Sequence, residues 1–193
     1  MLATRFIAIA GATLLTGIAL AAATSYNPFQ ESPKVEQHDL VLKGVGEWEG
    51  TVTMDIPGME EPMVMPCTES ISAIGELWTV SRFEGDFAGM PFAGSSTFGY
   101  DPDQKAFVST WVDSMTTRIT TMNGHWDEKT ESLVSEYEEK DPMTGEMVNK
   151  RSVCKWSEDS YVCKFYTLGE TEVLAMTIEM HRKKTVEASA DAE

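Results

Sequence analysis

The residues of this chain best placed by type and spacing to do chemistry are two cysteines, one carboxylate with one guanidinium, and two tryptophans. Cys154 and Cys163 stand on either side of Glu158-Asp159. A hairpin turning on that pair sets Trp156 opposite Tyr161 and Cys154 opposite Cys163, with Lys155 and Lys164 on the reverse face. Directly opposed antiparallel residues lie about 4.5 to 5.5 Å apart between Cα atoms, a span a disulfide can bridge. The expectation is a Cys154–Cys163 disulfide with Cys67 reduced, in a compartment that preserves disulfides.

Gly75-Glu76 is a Gly-X pair of the kind that fills a two-residue type II′ turn. That turn sets Ile74 opposite Leu77, Ala73 opposite Trp78, Ile71 opposite Val80 and Glu69 opposite Arg82. The apolar pairs put Glu69 and Arg82 on an inner face, where a guanidinium can grip a carboxylate through two hydrogen bonds. Such an ion pair is either a structural clasp or the polar anchor of a ligand site. Trp48 and Trp111 are core anchors or stacking surfaces. Asp113, beside Trp111, completes a candidate ligand-binding set of Glu69, Arg82, Trp48, Trp111 and Asp113. Asp113 and Ser114 face opposite ways as strand neighbours, so they make a poor catalytic pair, and an Asp ending a strand commonly bonds to the following turn.

Signals for catalysis are thin. The sequence holds no Gly-x-Ser-x-Gly elbow, His-Glu-x-x-His helix, phosphate-binding glycine loop or Cys-x-x-Cys. No catalytic residue is assigned, and the reading weighs against an enzyme. His38, His125 and His181 lack metal-ligand spacing, and neither the Asp101-Pro102-Asp103 stretch nor the acidic residues 136–146 match a calcium loop. No metal and no cofactor is expected.

The elements that must position these residues follow from periodicity. Arg5 ahead of an apolar run from Phe6 to Ala23, with small-residue cleavage sites at its end, reads as a secretory signal over residues 1–23, cut between Ala22 and Ser25. An uncleaved anchor is the alternative, since the run is barely long enough to span a bilayer. Residues 24–33 read as a linker and 185–193 as a polar tail, leaving one domain at 34–184. Ser32-Pro33 caps a short helix with Val35, Asp39, Leu42 and Val45 on one side. From Gly46 the period is two, with about ten candidate strands at 46–56, 63–74, 77–87, 92–100, 105–113, 117–122, 132–139, 147–156, 161–168 and 172–182. Trp48, Val52, Met54 and Ile56 share one face of the first. Leu174, Met176, Ile178 and Met180 share one face of the last, with His181 opposite, and His125 falls in an Asn123-Gly124 turn. So long an antiparallel meander is expected to close into an up-and-down barrel, which removes its edges.

Charge excludes two partner classes. With 31 acidic against 15 basic residues, a net charge of -16 and a pI near 4.5, the chain repels nucleic acid and anionic lipid. No second long apolar run follows the signal, so no membrane association is expected after cleavage and the mature protein is expected to be exported, periplasmic or secreted. The sequence sets no oligomeric state.

Gly46-Glu47-Trp48-Glu49-Gly50 after a short helix, Gly99-Tyr100-Asp101-Pro102, the stretch Phe107-Val108-Ser109-Thr110-Trp111-Val112-Asp113-Ser114-Met115, and Asp141-Pro142-Met143-Thr144-Gly145 together resemble the bacterial family catalogued as domain of unknown function 1579. The resemblance covers about residues 34–184. It implies a calycin-like closed β-barrel with a helix over one end and brings no activity, and the three cysteines stand outside its pattern. Some barrels resembling this architecture, the nitrobindins, hold haem through a histidine near their last strands. Aligning the basic strand ends puts Ile178 at that position, which counts against haem. The function expected is an exported barrel whose inward aliphatic and Met residues enclose a small apolar or amphipathic ligand. The alternatives are an enzyme using inward Glu69 or Arg82, or a filled barrel serving a structural or interaction role.

Overall fold

The computed structural model describes residues 32–184 except 57, 88, 142 and 143. The expected signal, the linker apart from its last two residues, and the polar tail lie outside the described residues. One short helix, α1 (Gln37–Leu42), leads into ten strands: β1 (Gly46–Met54), β2 (Met63–Ile74), β3 (Trp78–Phe87), β4 (Met90–Asp101), β5 (Ala106–Asp113), β6 (Thr120–Asp127), β7 (Ser132–Lys140), β8 (Met147–Trp156), β9 (Ser160–Leu168) and β10 (Val173–Arg182). Each strand runs antiparallel to the next, and β1 pairs with β10 from Trp48–Arg182 to Met54–Met176, so the sheet closes into a barrel. Alternation drives this closure. Along β1, Trp48 and Val52 are buried while Glu47 and Glu49 are exposed, and the closed ring joins all such apolar faces around one axis. No helix among the described residues is long and apolar enough to cross a membrane.

Successive turns of an up-and-down barrel alternate between its ends. α1, packed on β3 and β4, shares one end with the turns β2–β3, β4–β5, β6–β7 and β8–β9. The loops β1–β2, β3–β4, β5–β6, β7–β8 and β9–β10 rim the other, open end.

The helix starts later than the Ser32-Pro33 cap implies. Its entry is set by Val35 and Glu36, whose carbonyls accept from the His38 and Asp39 N–H groups at 3.0 Å, while the Val35 N–H donates to His38 Nδ1 at 3.0 Å. A ring nitrogen from inside the helix thus replaces the expected serine cap. His38 and Val41, rather than Val35, Asp39, Leu42 and Val45, form the buried side. Just after the helix, Trp48 Nε1 donates to the Gly44 carbonyl at 2.8 Å. The Arg182 guanidinium lies 4.3 Å from the centre of the Trp48 ring and donates to the Val45 carbonyl at 2.8 Å, tying the last strand to the helix exit.

Register corrects three expectations. Ile74 pairs with Trp78, so the β2–β3 turn holds three residues, Gly75-Glu76-Leu77, with Gly75 at φ 61°. A slip of one residue reverses every side chain that follows. Glu69 pairs with Phe83 and faces inward, whereas Arg82 pairs with Ser70 and faces out beside Glu84, 2.9 Å away. The Glu69–Arg82 ion pair therefore does not form. Trp78 and Val80 also lie outside: Trp78 rests over Gly99, where a Cβ would come within 2.4 Å of its ring. An exterior tryptophan sheltered by a cross-strand glycine has the same apolar signature as an interior one, which is why pattern alone misplaces it.

The second correction concerns β6, which runs straight through Asn123-Gly124 and carries His125 in a strand. Gly124 marks a close approach rather than a turn, since a Cβ there would lie 2.3 Å from Ser135 Oγ. The chain reverses at 128–131, where the Asp127 carboxylate accepts from the Lys129 N–H and the Thr130 hydroxyl. The third is a bulge in β10: Leu174 pairs with Tyr166 and Met176 with Phe165, so Leu174 leaves the face that Met176, Ile178 and Met180 share. His181 is exposed, as its parity requires.

The β8–β9 hairpin keeps its expected register, and Cys154 and Cys163 form a disulfide with Cα atoms 4.1 Å apart. Ser157 makes this possible without a favoured turn sequence. Its N–H donates to the Ser160 carbonyl at 2.8 Å, and its hydroxyl, accepting from the Ser160 N–H at 3.1 Å, completes the pair that a backbone carbonyl would otherwise close. Cys67 is a buried free thiol.

Candidate functional site

The barrel interior divides into a packed end and an open end. Beneath α1, Trp48 is fully buried against Tyr161, with ring centres 5.0 Å apart, and Phe98 stacks on Phe107. The space left there, between Leu40, Phe107, Trp126 and Trp156, is about 20 Å³, room for one water and no organic ligand. Trp48 thus acts as a core anchor with no face open to a ligand.

Below this layer lies a polar group that only partly matches expectation. The Glu69 carboxylate accepts from the Tyr161 hydroxyl and from Ser81. Burial pushes its pKa up, and the two hydroxyl donors only partly offset that. Cys67 lies beside it with its Sγ 3.4 Å from Met180 Sδ, and burial, reinforced by Glu69, raises the thiol to about 11. A thiol so protonated is a poor nucleophile. The geometry makes Glu69 an inward, partly buried acceptor. Tyr161 is not legible from the sequence as a partner because it comes from β9, far along the chain, and Ser81 of neighbouring β3 is missed because the expected two-residue turn faces it outward.

At the open end the inward side chains are half-buried. Trp111 stacks on Phe92, with ring centres 6.4 Å apart and planes at 20°, while Phe87 meets Phe92 edge-on at 4.7 Å. Gly94 permits this wall, because a Cβ there would lie 2.3 Å from the Trp111 ring. Trp111 Nε1 donates to Asp113 Oδ2 at 3.0 Å, and Asp113 Oδ1 accepts from the Met115 and Thr116 N–H groups at 2.8 and 2.9 Å. Asp113 therefore fixes both the indole and the turn that follows.

A polar group faces this wall. Tyr137 and Glu139 of β7 share the inward parity of buried Leu133 and Ser135, and Lys150 of β8 pairs with Tyr137. Lys150 Nζ donates to Thr167 Oγ1 at 2.9 Å. Burial raises the Glu139 carboxyl pKa, Lys150 opposes that, and Asp113 and Asp141 add to it. Burial likewise raises the Tyr137 phenol. Counting by twos from Leu133 would have found Tyr137 and Glu139. The β6–β7 ladder ends at Asn123–Glu136, so residues 137–140 of β7 have no strand partner on that side. An open depression of about 540 Å³ lies nearby, bounded by Tyr137, Asn149, Lys150 and Leu168. Among the described residues no group of three or more His, Cys, Asp or Glu is placed to hold a metal ion.

The site set is thus split. Arg82 is on the outer surface, Trp48 is fully buried, Glu69 faces inward and is partly buried, and Trp111 and Asp113 stand together at the open end. The family model described as "Protein of unknown function (DUF1579)" matches residues 33–182. A search of curated proteins finds no match. Among solved structures, Rv2717c from M. tuberculosis is similar at 10% identity and TM-score 0.53, over 79% of this chain and 100% of its own. The S-type phycobiliprotein lyase CPES from Guillardia theta is similar at 11% identity and TM-score 0.54, over 79% of this chain and 95% of its own. At such identities these likenesses establish a common fold.

Proposed function

The chain belongs to the DUF1579 family of proteins of unknown function, and on that premise we propose that it is an exported barrel that holds a small apolar or amphipathic molecule at its open end. The observation that carries this reading is the half-buried aromatic wall of Trp111, Phe92 and Phe87, interior in parity yet uncovered, in a barrel whose other end is filled. An apolar portion stacks on that wall, and a polar portion faces Lys150, Tyr137 and Thr167 across the mouth. Convergent polar groups opposite an apolar surface are the usual make-up of a small-molecule site. Ten strands enclose a wider interior than the roughly eight that side chains alone fill. A neighbour of the same fold named as a phycobiliprotein lyase supports the use of such a barrel in handling a partner molecule. The segment at 1–23 and the Cys154–Cys163 disulfide support export into an oxidising compartment.

The test is native mass spectrometry of protein taken from its own envelope, paired with titration by the neutral apolar fluorophore N-phenyl-1-naphthylamine. A co-purified mass, together with saturable probe binding weakened roughly tenfold by Trp111→Ala, is the expected result. No bound mass and no saturable probe binding would mean a barrel that is simply filled.

A further inference from the structure

Apolar exposure is unevenly distributed over this molecule. Of the eleven large apolar side chains exposed among the described residues, only Val45, Ile74 and Trp78 stand at the helix end. The others lie on the open rim or on the strand ends beside it, where Met59, Met90, Met115, Ile119, Met147 and Val173 come from all five loops or their margins. Ile119 is 68% exposed. Clustering at one end of a fold is not how scattered surface hydrophobics arrange themselves, and it marks a contact surface. Methionine is suited to such a surface because its unbranched, polarizable side chain adapts to differently shaped apolar partners.

The charge around these side chains selects the occupant. The five open-end loops hold seven carboxylates, among them Glu60, Glu61 and Glu170, and one cation, Arg118. Glu172 is drawn into a salt bridge with a strand cation, Arg151. We propose that this rim is a docking surface for a basic amphipathic segment of another protein. A helix with an apolar stripe flanked by Lys and Arg matches both properties at once. Two copies of this chain would oppose acidic rim to acidic rim, and an anionic membrane would be repelled. The rim surrounds the proposed ligand mouth but does not depend on it: the partner meets the loop tips, and the small molecule the inner wall.

The test uses the purified protein and a dye-labelled helix-forming Leu–Lys peptide, followed by fluorescence anisotropy. Saturable binding is expected, weakened roughly tenfold or more between about 0.05 and 0.5 M salt. A Leu–Glu peptide of the same pattern should not bind. Met115→Glu with Ile119→Glu should weaken the Leu–Lys complex about tenfold although it adds negative charge, because it removes apolar contact. Glu60→Lys with Glu61→Lys should weaken it by removing charge complementarity. Absence of saturable binding, equal affinity for the Leu–Glu peptide, or indifference to the Met115 and Ile119 changes overturns the proposal. So does binding to phosphatidylglycerol vesicles in preference to the peptide, or sedimentation as a dimer that the rim variants dissolve. The salt series and the peptide comparison need only the unaltered protein, so they decide the matter even if a variant fails to fold.

Discussion

At the helix end, Trp48, Tyr161 and Met180 are buried, Trp48 is held between the Gly44 carbonyl and the Arg182 guanidinium, and a space no larger than a water remains. At the open end Trp111 of β5, Phe92 of β4 and Tyr137 of β7 hold equally inward positions, yet these side chains stay half-buried. The strands and their alternation are common to both ends. What differs is the lid: one six-residue helix and one arginine convert an aromatic layer into core, and without them the aromatic layer becomes a surface that can receive something. On the proposed reading, the division leaves stability to one end and ligand recognition to the other.

That division can be broken most directly with paired truncations. Trp48→Ala should cost about 3 to 5 kcal/mol in chemical denaturation, the usual loss for a fully buried large aromatic. Trp111→Ala, at a half-buried position, should cost well under half of that while weakening probe binding about tenfold. Equal losses would mean that both ends are core. Removing the Cys154–Cys163 bridge by the double change Cys154→Ser with Cys163→Ser should cost about 2.5 kcal/mol relative to the parent on the chain-entropy model for so short a loop. The released strands lie nearer the helix end, so probe binding at the mouth should survive.

A smaller effect sharpens the comparison through pH. The Glu69 pKa is raised in the folded protein by burial. A carboxyl that holds its proton more tightly when folded contributes stability that is fully present below its unfolded value, near 4.3, and that is lost as pH rises through the folded value. Glu69→Gln should therefore match the parent near pH 4 and gain on it as pH rises, by about 1.4 kcal/mol for each tenfold increase in the carboxyl's proton affinity on folding. A stability difference that stays flat across pH would show that burial does not raise the Glu69 pKa. The least effect is expected from Arg82→Met, an outward side chain bonded only to exposed Glu84, which should leave the melting temperature and probe binding unchanged.

Period-two patterning was enough to read the barrel and nine of its strands to within a few residues. Local turn chemistry was harder. Gly75-Glu76 fits a two-residue turn as well as it fits the first part of the three-residue loop it belongs to, and that ambiguity alone exchanged the faces of Trp78 and Val80 and turned Arg82 outward. Asn123-Gly124 carries a turn signature for a residue whose real constraint is the Ser135 side chain on the neighbouring strand. The cysteine pair was readable because its partners sit in one hairpin. The Glu69–Tyr161 contact joins β2 to β9 across the interior, and no local pattern encodes it. Of the candidate site, Trp111 and Asp113 were visible as neighbours in sequence, whereas Glu139 and Lys150 become part of it only through curvature that brings β7 and β8 round to face β5.

The pairing of β1 with β10 has a kinetic meaning. The two strands that close the ring are the first and last of the sheet, so that ladder joins residues as far apart in the domain as any can be. Every other ladder joins strands consecutive in the chain and can form as the chain lengthens. Closing the ring therefore requires a long loop closure, entropically more costly than forming any of the hairpins. Until Arg182 reaches Trp48, β1 and β10 each present an unpaired edge, and a chain that stops short of Val173 leaves β1 and β9 as the exposed edges, open to pairing with its own copies.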